Sequence, residues 1–162
     1  MAFDDVLAAN EEYARGFALA DVSGRAAKGL AVLTCIDTRI EPLAMLGLSP
    51  GDAKILRNAG ARVDDGVLST LVLAHLLLGV DRVMVVAHTD CRLSVGSEEE
   101  LHEALLAAGA PDTSSLSFAV GAGREETVRH DVERIGSSPH LAGLEAAGFV
   151  YDVATGRLSR VC

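Results

Sequence analysis

The sequence predicts an α/β domain: a central, mostly parallel sheet of about four strands flanked by helices, with a C-terminal hairpin at one edge. Three observations lead there. Unbroken apolar runs at residues 30–33 and 83–87 read as strands buried on both faces, as parallel sheets require. Stretches with helical periodicity separate the strands, so strand and helix alternate through the first two thirds of the chain. The end departs from this pattern: residues 149–153, Ala154-Thr155-Gly156 and residues 157–161 read as strand, turn and strand.

In order, residues 3–20 read as a helix, with Asp4 and Asp5 favoured at its N-terminal end and Val6, Tyr13 and Phe17 on an apolar face. Ser23-Gly24-Arg25 is a turn. After the first strand, Glu41-Pro42 starts a short helix that Gly47, Ser49, Pro50 and Gly51 end. Residues 52–58 are a second strand around Ile55 and Leu56. Asp64-Asp65 opens a helix to about Leu78. Its Val67, Leu68, Leu71, Val72, Leu76 and Leu77 ring so much of the circumference that a well-buried helix is expected, closed by Gly79. Ser97 and Glu100 are spaced as a capping box for a helix to about Ala108. Residues 116–120 fit either a strand or the start of the next helix, which covers residues 123–135.

The composition narrows the function. The length of 162 residues suits one domain, here an arm over 1–25 and a core over 26–162. Fourteen basic against 23 acidic residues leave a net charge of −9, which argues against nucleic acid or an anionic membrane as partner. No apolar run approaches a membrane span, and the N-terminus lacks a signal-peptide pattern. Three cysteines form no disulfide framework, so a cytoplasmic setting is expected.

The chemistry collects at two strand ends. The first strand runs into Cys35-Ile36-Asp37-Thr38-Arg39; if it stays extended, Cys35, Asp37 and Arg39 share one side. The strand at 83–87 runs into His88-Thr89-Asp90-Cys91. Two Cys and one His are a ligand set typical of catalytic zinc, with a fourth position left open. A structural site would need a fourth protein ligand, for which Asp37 is the neighbour.

Cys35-x-Asp37-x-Arg39, then Arg57-Asn58-Ala59-Gly60, then His88-x-x-Cys91 resemble, in order and spacing, the β-class carbonic anhydrases. The resemblance spans residues 30–91. Arg92-Leu93 replaces the Gly usual after the second Cys, which is similar to a small branch with a basic residue there. The resemblance implies one Zn²⁺ per chain on Cys35, His88 and Cys91, with Asp37 a conditional fourth ligand. It implies that Asp37, fixed by Arg39, orients a zinc-bound hydroxide that attacks carbon dioxide to give bicarbonate and a proton. It further implies that Asn58, Ala59 and Gly60 shape the substrate side, and that the enzyme is a homodimer or higher homo-oligomer whose N-terminal helix reaches the partner. Two alternatives stay open: hydrolysis of carbonyl sulfide or carbon disulfide with the same ligands, and a non-catalytic zinc- or bicarbonate-binding module with Asp37 closing the site.

Other residues read more plainly. His75 suits a packed histidine, and Cys162 a free thiol. His102, His130 and His140 have no assigned role. Arg92 either covers the metal site or is solvated; Asp90 either orients a neighbour or caps a helix. Glu98 to Glu100 read as a solvated helix start.

Overall fold

In the computed structural model, which describes residues 2–94, 96–121 and 123–162, a single five-stranded sheet organises the chain. β1 (Leu30–Cys35), β2 (Ala53–Asn58), β3 (Arg82–His88), β4 (Glu145–Tyr151) and β5 (Leu158–Arg160) lie in the order β2-β1-β3-β4-β5. The first four are parallel, and β5 pairs antiparallel with β4. The expected hairpin is therefore β4–β5, but its first strand begins earlier than expected and also completes the parallel sheet. Gly148 explains why this edge was hard to read. A Cβ there would come within 2.3 Å of Val128 on the covering helix, so a small residue interrupts the apolar run.

From β1 the chain goes to β2 on one side and then to β3 on the other. The switch leaves a crevice at the carboxyl ends of β1 and β3, where open α/β sheets place their sites. The main core lies on one sheet face. Ala31 and Leu33 of β1 and Val83 and Val85 of β3 pack there against α3 (Asp65–Leu78) and α5 (Arg124–Gly136) through Val67, Leu71, Ala74 and Ile135. Val32, Leu30 and Val86 face the other side, covered by Met45, Leu46 and Leu48 in and after α2 (Pro42–Met45).

The helix ends follow their sequences. Asp64 caps α3 by accepting from Val67 N–H at 2.7 Å, and Gly79 closes it in the left-handed conformation, φ 76°. Ser97 and Glu100 form the expected reciprocal cap on α4 (Glu98–Ala107). Three expectations change. α1 (Asp4–Arg15) stops short of residue 20 and buries none of its residues. α3 is buried on one face only: Leu76 and Leu77 are 65% and 64% exposed, because the sheet covers a single stripe. Residues 116–120 are neither strand nor helix; they form an irregular strap before α5. No helix among the described residues is long and apolar enough to cross a membrane.

Candidate metal centre

β1 and β3 are neighbours, so their ends deliver Cys35 and His88 side by side, and the turn after β3 returns Cys91 to them. The Sγ atoms and a ring nitrogen lie within 4.8 Å of one another, and all three residues are buried. His88 Nδ1–H donates to the Thr89 carbonyl at 2.8 Å, which leaves the Nε2 lone pair free. Nε2 is buried and has no hydrogen-bond partner among the described residues. An orphaned imidazole nitrogen beside two thiols is costly unless an ion takes it, and the soft N/S donor set suits zinc. The residues present fit a metal ion.

The loop after β1 brings in Asp37 and Arg39, though not by strand alternation as expected. β1 ends at Cys35, and the chain turns: Arg39 N–H donates to Asp37 Oδ1 at 2.9 Å, a side-chain-closed turn. The guanidinium then grips the same carboxylate twice, Nε to Oδ1 at 2.9 Å and Nη2 to Oδ2 at 2.7 Å. This grip holds the Asp37 carboxyl far below the usual carboxylate range and raises the Arg39 guanidinium above its own. Asp90 takes the free end of the fork, accepting from Nη1 at 2.8 Å, so it orients a neighbour.

The Arg57-Asn58-Ala59-Gly60 stretch divides its tasks. Arg57, which motif reading left outside the site, donates to the Cys35 carbonyl at 2.9 Å and the Asp37 carbonyl at 2.6 Å, fixing the loop between them. Asn58 folds the turn: its Oδ1 accepts from Arg62 N–H at 2.8 Å and its Nδ2 donates to the Arg62 carbonyl at 2.7 Å. Gly60 N–H donates to Cys35 Sγ, 3.3 Å away, which ties the turn to the first ligand candidate. Its φ of 79° suits glycine. Ala59 and Gly60 line the pocket over the three ligand candidates; Asn58 is not part of that lining.

That pocket, about 300 Å³, is otherwise walled by apolar side chains, among them Ile36, Leu93, Leu101, Leu105 and Phe118, with Arg92 at its rim. Leu101, Leu105 and Phe118 were missed in the sequence. Leu101 and Leu105 are four apart on α4, a spacing that could have marked an inward face. Glu98 is not merely solvated: its Oε1 accepts from Phe118 N–H at 2.7 Å. His75 is packed, Nδ1 against the Val80 carbonyl at 2.7 Å, and Cys162 is a half-buried free thiol.

A parallel α/β sheet with a Cys–His–Cys cluster at its switch point, able to bind a metal, defines a class of metal-dependent enzyme. The family model described as carbonic anhydrase matches residues 30–158. The chain is 34% identical to β-carbonic anhydrase 1 of Mycobacterium tuberculosis over 161 residues, covering 98% of this chain and 96% of that one. A carbonic anhydrase structure from Streptococcus mutans superposes with a TM-score of 0.91 at 35% identity, covering 100% of this chain and 98% of that one. A carbon disulfide hydrolase of an Acidianus species is 37% identical over 82 residues, 51% of this chain and 40% of that one. The chain belongs to the β-carbonic anhydrase family.

Proposed function

We propose that this enzyme catalyses the zinc-dependent, reversible hydration of carbon dioxide to bicarbonate and a proton. The observation that carries the reading is the Asp37–Arg39 fork set beside the cysteine–histidine cluster. Cys35, His88 and Cys91 would hold one Zn²⁺ per chain, and that ion would supply the Lewis acidity that lets water lose a proton near neutral pH. Asp37, kept ionised by Arg39, is acceptor-only, so the acceptor position left on Oδ2 can take a hydrogen bond from the attacking water and set its direction. The fork also restrains Asp37 from becoming a fourth ligand, which favours a catalytic over a closed, non-catalytic site. Ala59, Gly60 and the apolar walls suit a small apolar substrate.

The test is zinc analysis with stopped-flow carbon dioxide hydration between about pH 6.5 and 9, bracketing the range of zinc-bound water. Rapid hydration by a protein with one zinc per chain is expected; a zinc-loaded protein without hydration would overturn the reading. The apolar walls and the likeness to carbon disulfide hydrolase favour one second reading, turnover of carbon disulfide or carbonyl sulfide in the same pocket. Competing turnover of the three substrates separates the two.

In this reading the core covers residues 26–162, and the arm at 1–25 joins a homodimer or larger homo-oligomer. Support comes from α1, whose Val6, Leu7 and Tyr13 are 56%, 60% and 58% exposed, a stripe that a second copy would bury. That Cys35, Cys91 and Cys162 form no disulfide suits a cytoplasmic setting.

A further inference from the structure

The strap before α5 enters the metal-side pocket at one residue. Phe118 is the aromatic wall of that pocket, and the peptide units beside it are pinned from two elements. Phe118 N–H donates to Glu98 Oε1 on α4, and the Ala119 carbonyl accepts from the Arg62 guanidinium. Ala119 has a φ of 52°, a conformation rare for a residue with a side chain, and it is held between these contacts. The Phe118 ring packs edge-on to His102 with centroids 5.4 Å apart, and His102 Nδ1 is fixed by Thr113 Oγ1 at 2.8 Å.

These groups are not scattered. Glu98, Leu101, His102 and Leu105 fall at helical spacing on one face of α4, so the same stripe walls the pocket and grips the strap. Arg62 is anchored in turn. Its Nε donates to Asp131 Oδ2 at 2.9 Å, and Asp131, 1% exposed, also accepts from Val63 N–H at 3.1 Å. The turn that Arg62 ends carries Gly60, whose N–H meets Cys35 Sγ. The pocket's floor and its aromatic wall are thus tied to one residue: the turn to the Arg62 backbone, the strap to its guanidinium.

We propose that Phe118 is a specificity-determining residue, a size filter whose ring limits how much bulk a ligand can carry behind the group that meets the metal. Glu98 is its positioning residue. The inference rests on the carbonic anhydrase reading for what passes the filter, a rod-shaped molecule of three heavy atoms; the filter itself is steric.

The experiment therefore reads binding and not turnover. Acetate and adamantane-1-carboxylate share a head group, and the second adds bulk without a π face that could stack on Phe118. Calorimetric titration of the zinc-loaded protein gives the ratio of their affinities. In Phe118→Ala we expect that ratio to move toward the bulky anion by tenfold or more, since deleting a ring opens more room than the methylene differences that pockets discriminate by about 10–200-fold. Glu98→Ala should move it the same way by less, and Glu98→Gln, which keeps an acceptor oxygen, should hold the wild-type ratio. An unchanged ratio in folded, zinc-loaded Phe118→Ala overturns the filter. If that variant does not fold, an unchanged ratio in Glu98→Ala overturns it instead. Failure of the wild type to hydrate carbon dioxide, with the ratio shifting as expected, would sink the proposed reaction and leave the filter standing.

Discussion

The two sides of the metal pocket are built differently. The floor is the sheet itself: Cys35, His88 and Cys91 are 5%, 1% and 6% exposed, and Thr34 beside them ties β1 to β3 through Val86 O. The roof is α4 and the strap, and α4 buries none of its residues. It stays in place through a capping box, a few leucines and the grip of Glu98 and Arg62. Groups that must hold an ion at fixed geometry sit where the backbone is most constrained. Groups that only have to limit access sit on an element with no core of its own, from which locally less stable segments are drawn.

The largest effect should come from breaking the floor. Cys35→Ser or Cys91→Ser replaces a soft thiolate, and elemental analysis should find zinc reduced by at least about tenfold. Full retention in both would remove the cluster as a metal centre. Arg39→Ala leaves the three ligand candidates untouched. It should keep zinc yet lose roughly 10–100-fold in carbon dioxide hydration near neutral pH, with partial recovery in alkali, where hydroxide competes better with a freed Asp37. Wild-type turnover in that mutant would reduce the fork to packing.

The link between floor and roof comes next. Asp131→Asn leaves Arg62 without its buried counter-charge, and urea unfolding should show a loss of about 3 kcal/mol, the low end for a broken buried pair because Arg62 keeps some solvent contact. The smallest effect belongs to the roof alone. Hydrogen bonds, first from Phe118 N–H and then from Ser117, lower the Glu98 pKa below its ordinary 4.5 in the folded chain. A depressed carboxylate stabilises what it holds above the unfolded value and loses that contribution as pH falls through the folded one. The Phe118 amide should therefore lose hydrogen-exchange protection, measured against the intrinsic rate at each pH, below about pH 4 before the β3 amides do. Equal loss of protection in both would show that roof and floor open as one unit.

The same division explains what the sequence disclosed. The floor was legible because each part is local: an apolar run sets a strand, and the residues after it must lie at its end. Cys35, His88 and Cys91 were read from that logic together with the order and spacing of the motifs that resemble the family. The grouping of Asp37 with Arg39 was expected for the wrong reason, since a side-chain-closed turn joins them and not an extended strand. The roof was hidden because its contacts are non-local. Glu98 reads as one more acid at a helix start until Phe118, 20 residues on, is folded against it. The uncovered leucines of α3 misled for a related reason: periodicity says that a face is apolar, not what covers it.

The β1–β3 pairing has a kinetic consequence. Thr34 meets Val86 across a separation of 52 residues, and the chain that forms β2 and α3 must be looped out between them before the ends align. Parallel pairings at such distance form slowly, because a long loop must close before any contact offsets its entropy. Until then Cys35 and His88 are far apart along a mobile chain. During refolding, the two cysteines should stay open to alkylation until the strands meet, and their protection would time that event more directly than a helix signal could.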